Sequence, residues 1–279
     1  MNDRTYGRSG KESKGAERKK KVRRPGEEAQ KYGSRKNSYE NDLMIGGRNS
    51  VTEFLRSGRV KKIFVKTGKK DGRLDELIAE ANSSGISVHE TEESELDAMT
   101  GGIRHQGVAA LLKPYEYADL NTLLEKNQEK DPILILLDGM EDVRNLGAIV
   151  RTAECGGATA VLLPKHKSPP VTAAAMKTAA GAFAYLPVCQ IGNIRQTLEF
   201  LKEKGFWVVA ADMDGDIIYE SNLKGPLVIV MGAEGKGVSP LTKKMCDFSV
   251  RIPMKGKVSS LNVSVAAALV LYEALRQRM

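Results

Sequence analysis

Two hydrophobic rhythms run along this chain. Between Met44 and Pro114, short apolar runs alternate with amphipathic stretches. The segment "MIGGRNSVTEFLRSGRVKKIFVKTG" predicts a short helix near 49–57 and a strand at 61–66. Further helices are expected at 73–83 and 92–99, with strands at 86–88 and 107–114. From Pro132 onward the runs lose their alternation: "ILILLD" (133–138), "AVLLP" (160–164), "AYLPVCQ" (184–190), "WVVAADM" (207–213), "LVIVMG" (227–232) and "FSVRIPM" (248–254). Runs of that kind are what strands covered on both faces look like, so an α/β fold with a mostly parallel sheet flanked by helices is expected. The polar, helix-prone residues 117–131 suit a linker between a small α/β domain at 41–116 and a larger one at 132–279.

The last apolar stretch, "KVSSLNVSVAAALVLYEALR" (257–276), reads as a helix that is apolar on nearly every side. Ser259, Ser260 and Asn262 crowd its entry, and either serine can serve as the N-cap. Ala266, Ala267 and Ala268 allow close backbone approach. Such a helix is expected to lie between the core and a partner subunit, which predicts a homodimer.

Charge changes the picture at one end only. Residues 1–40 hold thirteen Lys/Arg against six Asp/Glu and so carry +7 of the chain's +8, while lacking Leu, Ile, Phe and Trp altogether. This composition cannot bury enough apolar area to offset the entropy of ordering, so a disordered basic tail is expected. It is either a solubilising tail or a phosphate-seeking arm. No apolar run is long enough for a membrane span and the N-terminus is polar, which points to a cytoplasmic protein without a membrane partner. Cys155, Cys189 and Cys246 are odd in number and far apart, so buried thiols are expected rather than a disulfide framework. His89, His105 and His166 show no ligand spacing, so no metal is expected.

In open parallel sheets ligands bind beyond the carboxyl ends of strands, so the loops that follow the strands are where chemistry is sought. After "ILILLD", Asn145 can cap a helix beginning near Leu146, with Arg151 two turns into it; a capped helix bearing a surface arginine is the plain alternative. After "LVIVMG", the loop Gly232-Ala-Glu-Gly-Lys-Gly237 lets backbone approach a ligand closely, but Glu234 would repel a phosphate, so a neutral or cationic ligand fits better. The chain carries neither G-x-G-x-x-G nor the P-loop pattern, which disfavours an ordinary dinucleotide or nucleotide-triphosphate fold.

Taken together, "DVRNLGAIVRTAECGG" (142–157), "IVMGAEGKGVS" (229–239) and "IPMKGKVSSLNVSVAAALVLYE" (252–273) resemble the three ordered motifs of the SpoU class of SPOUT RNA ribose 2'-O-methyltransferases. Val143 departs from the proline that many members carry there. The resemblance covers residues 44–279 and implies several things at once: a C-terminal parallel sheet with a trefoil knot, a small N-terminal RNA substrate-binding domain, a homodimer, and S-adenosylmethionine as cofactor. It further implies cofactor contacts from backbone at Gly232, Ile252 and Leu261, and a polar catalytic set of Arg151, Asn145, Glu234, Ser260 and Asn262. The separate N-terminal module is similar to that of the 23S ribosomal RNA guanosine methyltransferases. The alternatives are a tRNA ribose methyltransferase, or a ribosome-assembly factor that binds RNA without turnover.

Overall fold

The computed structural model describes residues 43–102, 104–127 and 131–279. The expected disordered tail at 1–40 lies outside the described residues, as does part of the expected linker.

The N-terminal module is a four-stranded sheet with helices packed on it. It runs β1 (Met44–Gly46), α1 (Arg48–Arg56), β2 (Val60–Lys66), α2 (Gly72–Ser83), β3 (Val88–Thr91), α3 (Glu93–Met99) and β4 (Val108–Leu112), in the spatial order β1-β4-β2-β3. β4 is antiparallel to both its neighbours, and β2 and β3 run parallel. β1 has only three residues, too few for a period, and was not expected. Asp71 starts α2 by accepting the Leu74 N–H and is itself gripped by both terminal nitrogens of Arg48.

Residues 115–127 are not a free linker. Ala118 donates its N–H to the Val188 carbonyl and pairs beside the edge of the second sheet, and α4 (Leu120–Lys126) lays Leu120, Leu123 and Leu124 against that sheet's core.

The second sheet is parallel throughout, in the order β10-β8-β9-β5-β6-β7. Its strands are β5 (Ile133–Asp138), β6 (Ala160–Pro164), β7 (Val188–Ile191), β8 (Trp207–Ile217), β9 (Leu227–Gly232) and β10 (Phe248–Arg251). The apolar runs are explained by two-sided burial. Ile133, Ile135 and Leu137 face one cluster with α5 (Val143–Cys155), α6 (Ala173–Thr178) and α9 (Val263–Arg276). Leu134 and Leu136 face another with α7 (Ile194–Glu203) and α8 (Pro240–Met245). The first of these clusters continues into the N-terminal module through Ile45, Phe54 and Val108, so both modules share one core. Tyr185 adds a hydrogen bond from its hydroxyl to Glu53 across the junction.

Three expectations are corrected here. The expected strand 184–190 begins only at Val188, because Ala182–Ala184 form a 3-10 turn and Pro187 cannot donate to a ladder. α5 begins at Val143, with Asp142 as its N-cap accepting the Arg144 N–H, so Asn145 lies inside the first turn and caps nothing. α9 is capped by neither Ser259 nor Ser260: Asn262, the polar residue directly before the apolar run, accepts the Ser264 N–H. Two close approaches fix α5. A Cβ at Gly147 would lie 2.4 Å from the Ala175 carbonyl oxygen of α6, and one at Gly156 would lie 2.6 Å from Leu271 of α9.

Candidate active site

The carboxyl ends of β5 and β9 are adjacent and in register, Asp138 opposite Gly232, at the centre of the sheet. The chain leaving β9 turns at once. Ala233 and Gly237 exchange both of their backbone hydrogen bonds, at 3.0 and 2.9 Å, closing a tight turn with Gly235 and Gly237 at positive φ and Glu234 projecting from it. Gly232 has no room for a side chain, since a Cβ there would meet the Gly237 carbonyl carbon at 2.0 Å. The far end of the turn is tied down by Asp138, whose carboxylate accepts the Ser239 N–H at 3.0 Å.

Three of the anticipated polar residues meet here. Buried Asn145 donates from its amide to Glu234 at 3.2 Å and accepts from the Asn262 amide at 3.1 Å. Asn262 uses its own oxygen for the Ser264 N–H and hydroxyl. One hydrogen-bonded chain therefore links the loops after β9 and before α9 to the first turn of α5. The two carboxamides leave no ambiguity of direction: Glu234 can only accept, so Asn145 must donate to it and present its oxygen to Asn262.

Arg151 and Ser260 are not brought to this chain. Arg151 lies six residues beyond Asn145, about 9 Å along α5 and about 120° around it. It is exposed, on the same face as Arg144. Ser260 is exposed on the loop before α9, without a hydrogen bond to the Asn145 set. Of the anticipated cofactor positions, Gly232 is buried, Ile252 half-buried just beyond β10, and Leu261 36% exposed. β8 separates Gly232 from Ile252, so the loops after the three strands do not share a sheet edge as consecutive neighbours.

β8 supplies what the sequence did not single out. Its pairing with β10 jumps from Ala210 opposite Ser249 to Asp216 opposite Val250, so residues 211–215 bulge out of the ladder at the same end of the sheet. Asp212 on that bulge accepts from the Lys243 ammonium at 2.8 Å, and Asp214 does so at 3.3 Å. Burial opposes the Asp212 charge, but the bonds from Lys243 and from the Asp214 N–H prevail and hold its carboxyl below the usual carboxylate range. The same contact raises Lys243. These partners are 31 residues apart, beyond the reach of any local pattern. The thiols take no part. Burial pushes Cys246 up to about 12 and Cys189 up to about 11, while Cys155, expected to be buried, is exposed. Among the described residues no group of His, Cys, Asp and Glu could hold a metal ion, and no helix is long and apolar enough to cross a membrane.

Along α9, Val265, Leu269 and Tyr272 recur at i, i+4 and i+7 and are 47%, 40% and 47% exposed, an apolar stripe that the single chain leaves open.

Comparison with known proteins gives consistent results for both modules. Residues 132–272 match the SpoU rRNA Methylase family, and residues 44–118 match the RNA 2'-O ribose methyltransferase substrate binding family. The 23S rRNA (guanosine-2'-O-)-methyltransferase RlmB of Pseudomonas syringae pv. tomato is 44% identical over 240 residues, covering 84% of this chain and 95% of that one. A Staphylococcus saprophyticus chain assigned to the TrmH family of tRNA/rRNA methyltransferases is 41% identical over 241 residues, covering 85% and 96%. Among solved structures, the SpoU methyltransferase AviRb from Streptomyces viridochromogenes, in complex with AdoMet, superposes with a TM-score of 0.72 at 21% identity, over 88% of this chain and 93% of that one.

Proposed function

Because the chain belongs to the SpoU rRNA methylase family, we propose that it transfers a methyl group from S-adenosylmethionine to the 2'-hydroxyl of a guanosine ribose in 23S rRNA, in the cytoplasm and as a homodimer. The observation that carries this reading is the Asn145–Glu234–Asn262 chain set beside the Gly232 turn at the carboxyl ends of the two central strands. Residues 41–116 hold RNA in this reading, and 132–279 carry the chemistry.

S-adenosylmethionine suits the residues at this edge. Gly232, closed to any side chain, offers bare backbone to an adenosine, with Ile252 and Leu261 as apolar walls. The carboxylate of Glu234 suits a cation, not a phosphate. When bound, the cofactor supplies a methyl already activated by its sulfonium, so the chain's own task is to align the ribose hydroxyl and stabilise charge. One Glu234 oxygen is engaged by Asn145 and the other remains to accept from the ribose. Asn145 and Asn262 hold Glu234 in place. With the methyl supplied by the bound cofactor, the hydroxyl would have to give up its proton, and a substrate phosphate or water would receive it. A guanidinium whose pKa exceeds about 12 cannot serve as the base. We therefore assign Arg151 to orienting the ribose-phosphate.

Arg151 reaches a site in this reading by dimerisation. α5, which bears it, packs through Gly156 against Leu271 of α9, the helix that carries the open apolar stripe. A second copy covering the stripe would bring Arg151 of one chain to the Asn145 set of the other. The family's trefoil knot, in which the C-terminal segment passes through a loop, belongs to the same proposal.

The test is methylation mapping of ribosomal RNA from a strain lacking the gene, with the purified protein restoring the mark on 23S rRNA and not on a tRNA pool. Restoration on tRNA alone would replace the substrate, and no lost mark on either would refute the reading.

A further inference from the structure

The loop that follows β6 reads "KHKSPPVT" (165–172) and opens at the same end of the sheet as the candidate site. Leu136 pairs with Leu162 and Asp138 with Gly232, so Pro164 and Gly232 flank Asp138 on its two sides. Two strand spacings, about 10 Å, therefore separate the start of this loop from the glycine turn. Lys165, His166 and Lys167 are all exposed. Among the described residues, Arg144, Arg151, Lys165, Lys167 and Lys177 on this rim meet no carboxylate within ion-pair distance, whereas Lys243 at the same end of the sheet is tied to Asp212 and Asp214. The acids at this end of the sheet are mostly engaged: Asp138 by Ser239, Asp142 at the cap of α5, Glu234 by Asn145, and Asp212 and Asp214 by Lys243, while Glu141 is exposed.

The loop is also held in an uncommon shape. Lys167 has φ 67, one of three non-glycine residues in the left-handed region among the described residues. Lys165 is anchored by its N–H to the Ile191 carbonyl at 2.7 Å, and Pro169 and Pro170 fix the exit. Inside the bend, the Ser168 hydroxyl is buried with no hydrogen-bond partner among the described residues. Backbone strain and an unsatisfied hydroxyl at the rim of a site mark a segment shaped for a ligand and not for its own stability.

We propose that Lys165 and Lys167 grip the phosphate backbone of the RNA beside the nucleotide being methylated, a contact made by the catalytic sheet itself and separate from the N-terminal module. A ribose at the glycine turn carries phosphates on both sides, and unneutralised cations about 10 Å away lie where that backbone must pass. The proposal rests on the ribose methyltransferase reading above.

The experiment measures binding of the full chain to 23S rRNA transcribed in vitro, across a series of salt concentrations. The double variant K165A/K167A should bind about tenfold more weakly, and its log–log salt slope should flatten by about two units, as two phosphate contacts are lost. Both lysines replaced by arginine should keep the wild-type slope. Lys224→Ala, on the loop before β9 at the opposite, amino end of the strands, should change neither quantity. Calorimetric titration with S-adenosylmethionine should be the same for all variants, which separates loss of a rim contact from collapse of the site. A double variant that behaves like Lys224→Ala would overturn the proposal, as would equal losses in both. Because the readout is binding, a lysine-dependent slope in a protein that methylates no ribose would uphold the contact and refute the enzymatic reading.

Discussion

The two ends of α5 differ in kind. At its first turn Asn145 is buried and bonded on both sides, to Glu234 from the loop after β9 and to Asn262 at the start of α9. Two turns later Arg151 stands exposed, without an ion pair among the described residues, on a face shared with Arg144. The first end is complete within one folded chain, and the second is not. A buried amide without partners would cost roughly 1–3 kcal/mol, so the fold must satisfy Asn145 itself. An exposed guanidinium is satisfied by water until another molecule displaces that water, so it can be left for the RNA or a second copy.

That contrast predicts different penalties for the two ends. The largest effect in rate is expected from Arg151→Ala: single-turnover methylation at saturating RNA and cofactor should fall by about two orders of magnitude or more. Its stability should shift by no more than about half a kcal/mol, as for any exposed site. Arg151→Lys should rescue poorly, because a point charge lacks the planar fork that positions two oxygens. Near-normal turnover in the alanine variant would remove the distinction between the two ends. Asn145→Ala should lose methylation and about 1 kcal/mol in urea unfolding, because it removes its hydrogen bonds to Glu234 and Asn262 while leaving those two exposed partners to water. A double-mutant cycle with Asn262→Ala should show a coupling of about 0.5 kcal/mol or more, and strict additivity would mean that the chain of bonds is not a unit.

Asn262→Ala is expected to cost about 1 kcal/mol on its own, because this residue, and neither serine before it, is the N-cap of α9. Activity should fall further than that loss accounts for. The smallest effect belongs to the Asp212–Lys243 tie beneath the glycine turn. The folded Asp212 pKa is lowered, so its contribution is present above its unfolded value of 3.8 and is lost as pH falls through the lower folded one. Lys243 is raised, so its share is present below 10.5 and is lost as pH rises through its higher folded value. Asp212→Asn should therefore melt slightly below wild type at neutral pH, with the gap closing in strong acid. A gap that persisted there would point to packing and not to charge.

How far these regions could be read in advance differs in the same way. The strands of the parallel sheet were legible because burial on both faces leaves uninterrupted apolar runs, and Ile133–Asp138 occupies the residues expected of it. β1 was illegible for want of length, and β8 ran past its expected end because its pairing with β10 resumes at Asp216, opposite Val250, beyond the bulge at 211–215. At the site, the glycine loop and Glu234 stood out by residue type. The caps did not: Asp142 and Asn145, or Ser259, Ser260 and Asn262, are interchangeable by propensity, and only tertiary contact selects among them. Arg151 carried its warning in plain spacing, since six residues on a helix of 3.6 per turn cannot face the same way as Asn145.

Whether Arg151 of one chain serves the Asn145 set of another can be read from a heterodimer, purified through two different affinity tags, of the inactive variants Arg151→Ala and Asn145→Ala. One of its two sites would then hold an intact arginine from one copy and an intact Asn145–Glu234–Asn262 chain from the other, while the second site would lack both. The account predicts that single-turnover methylation reappears in the heterodimer although each parent homodimer is inactive. A heterodimer as inactive as its parents would contradict it and return Arg151 to the chain on which it stands.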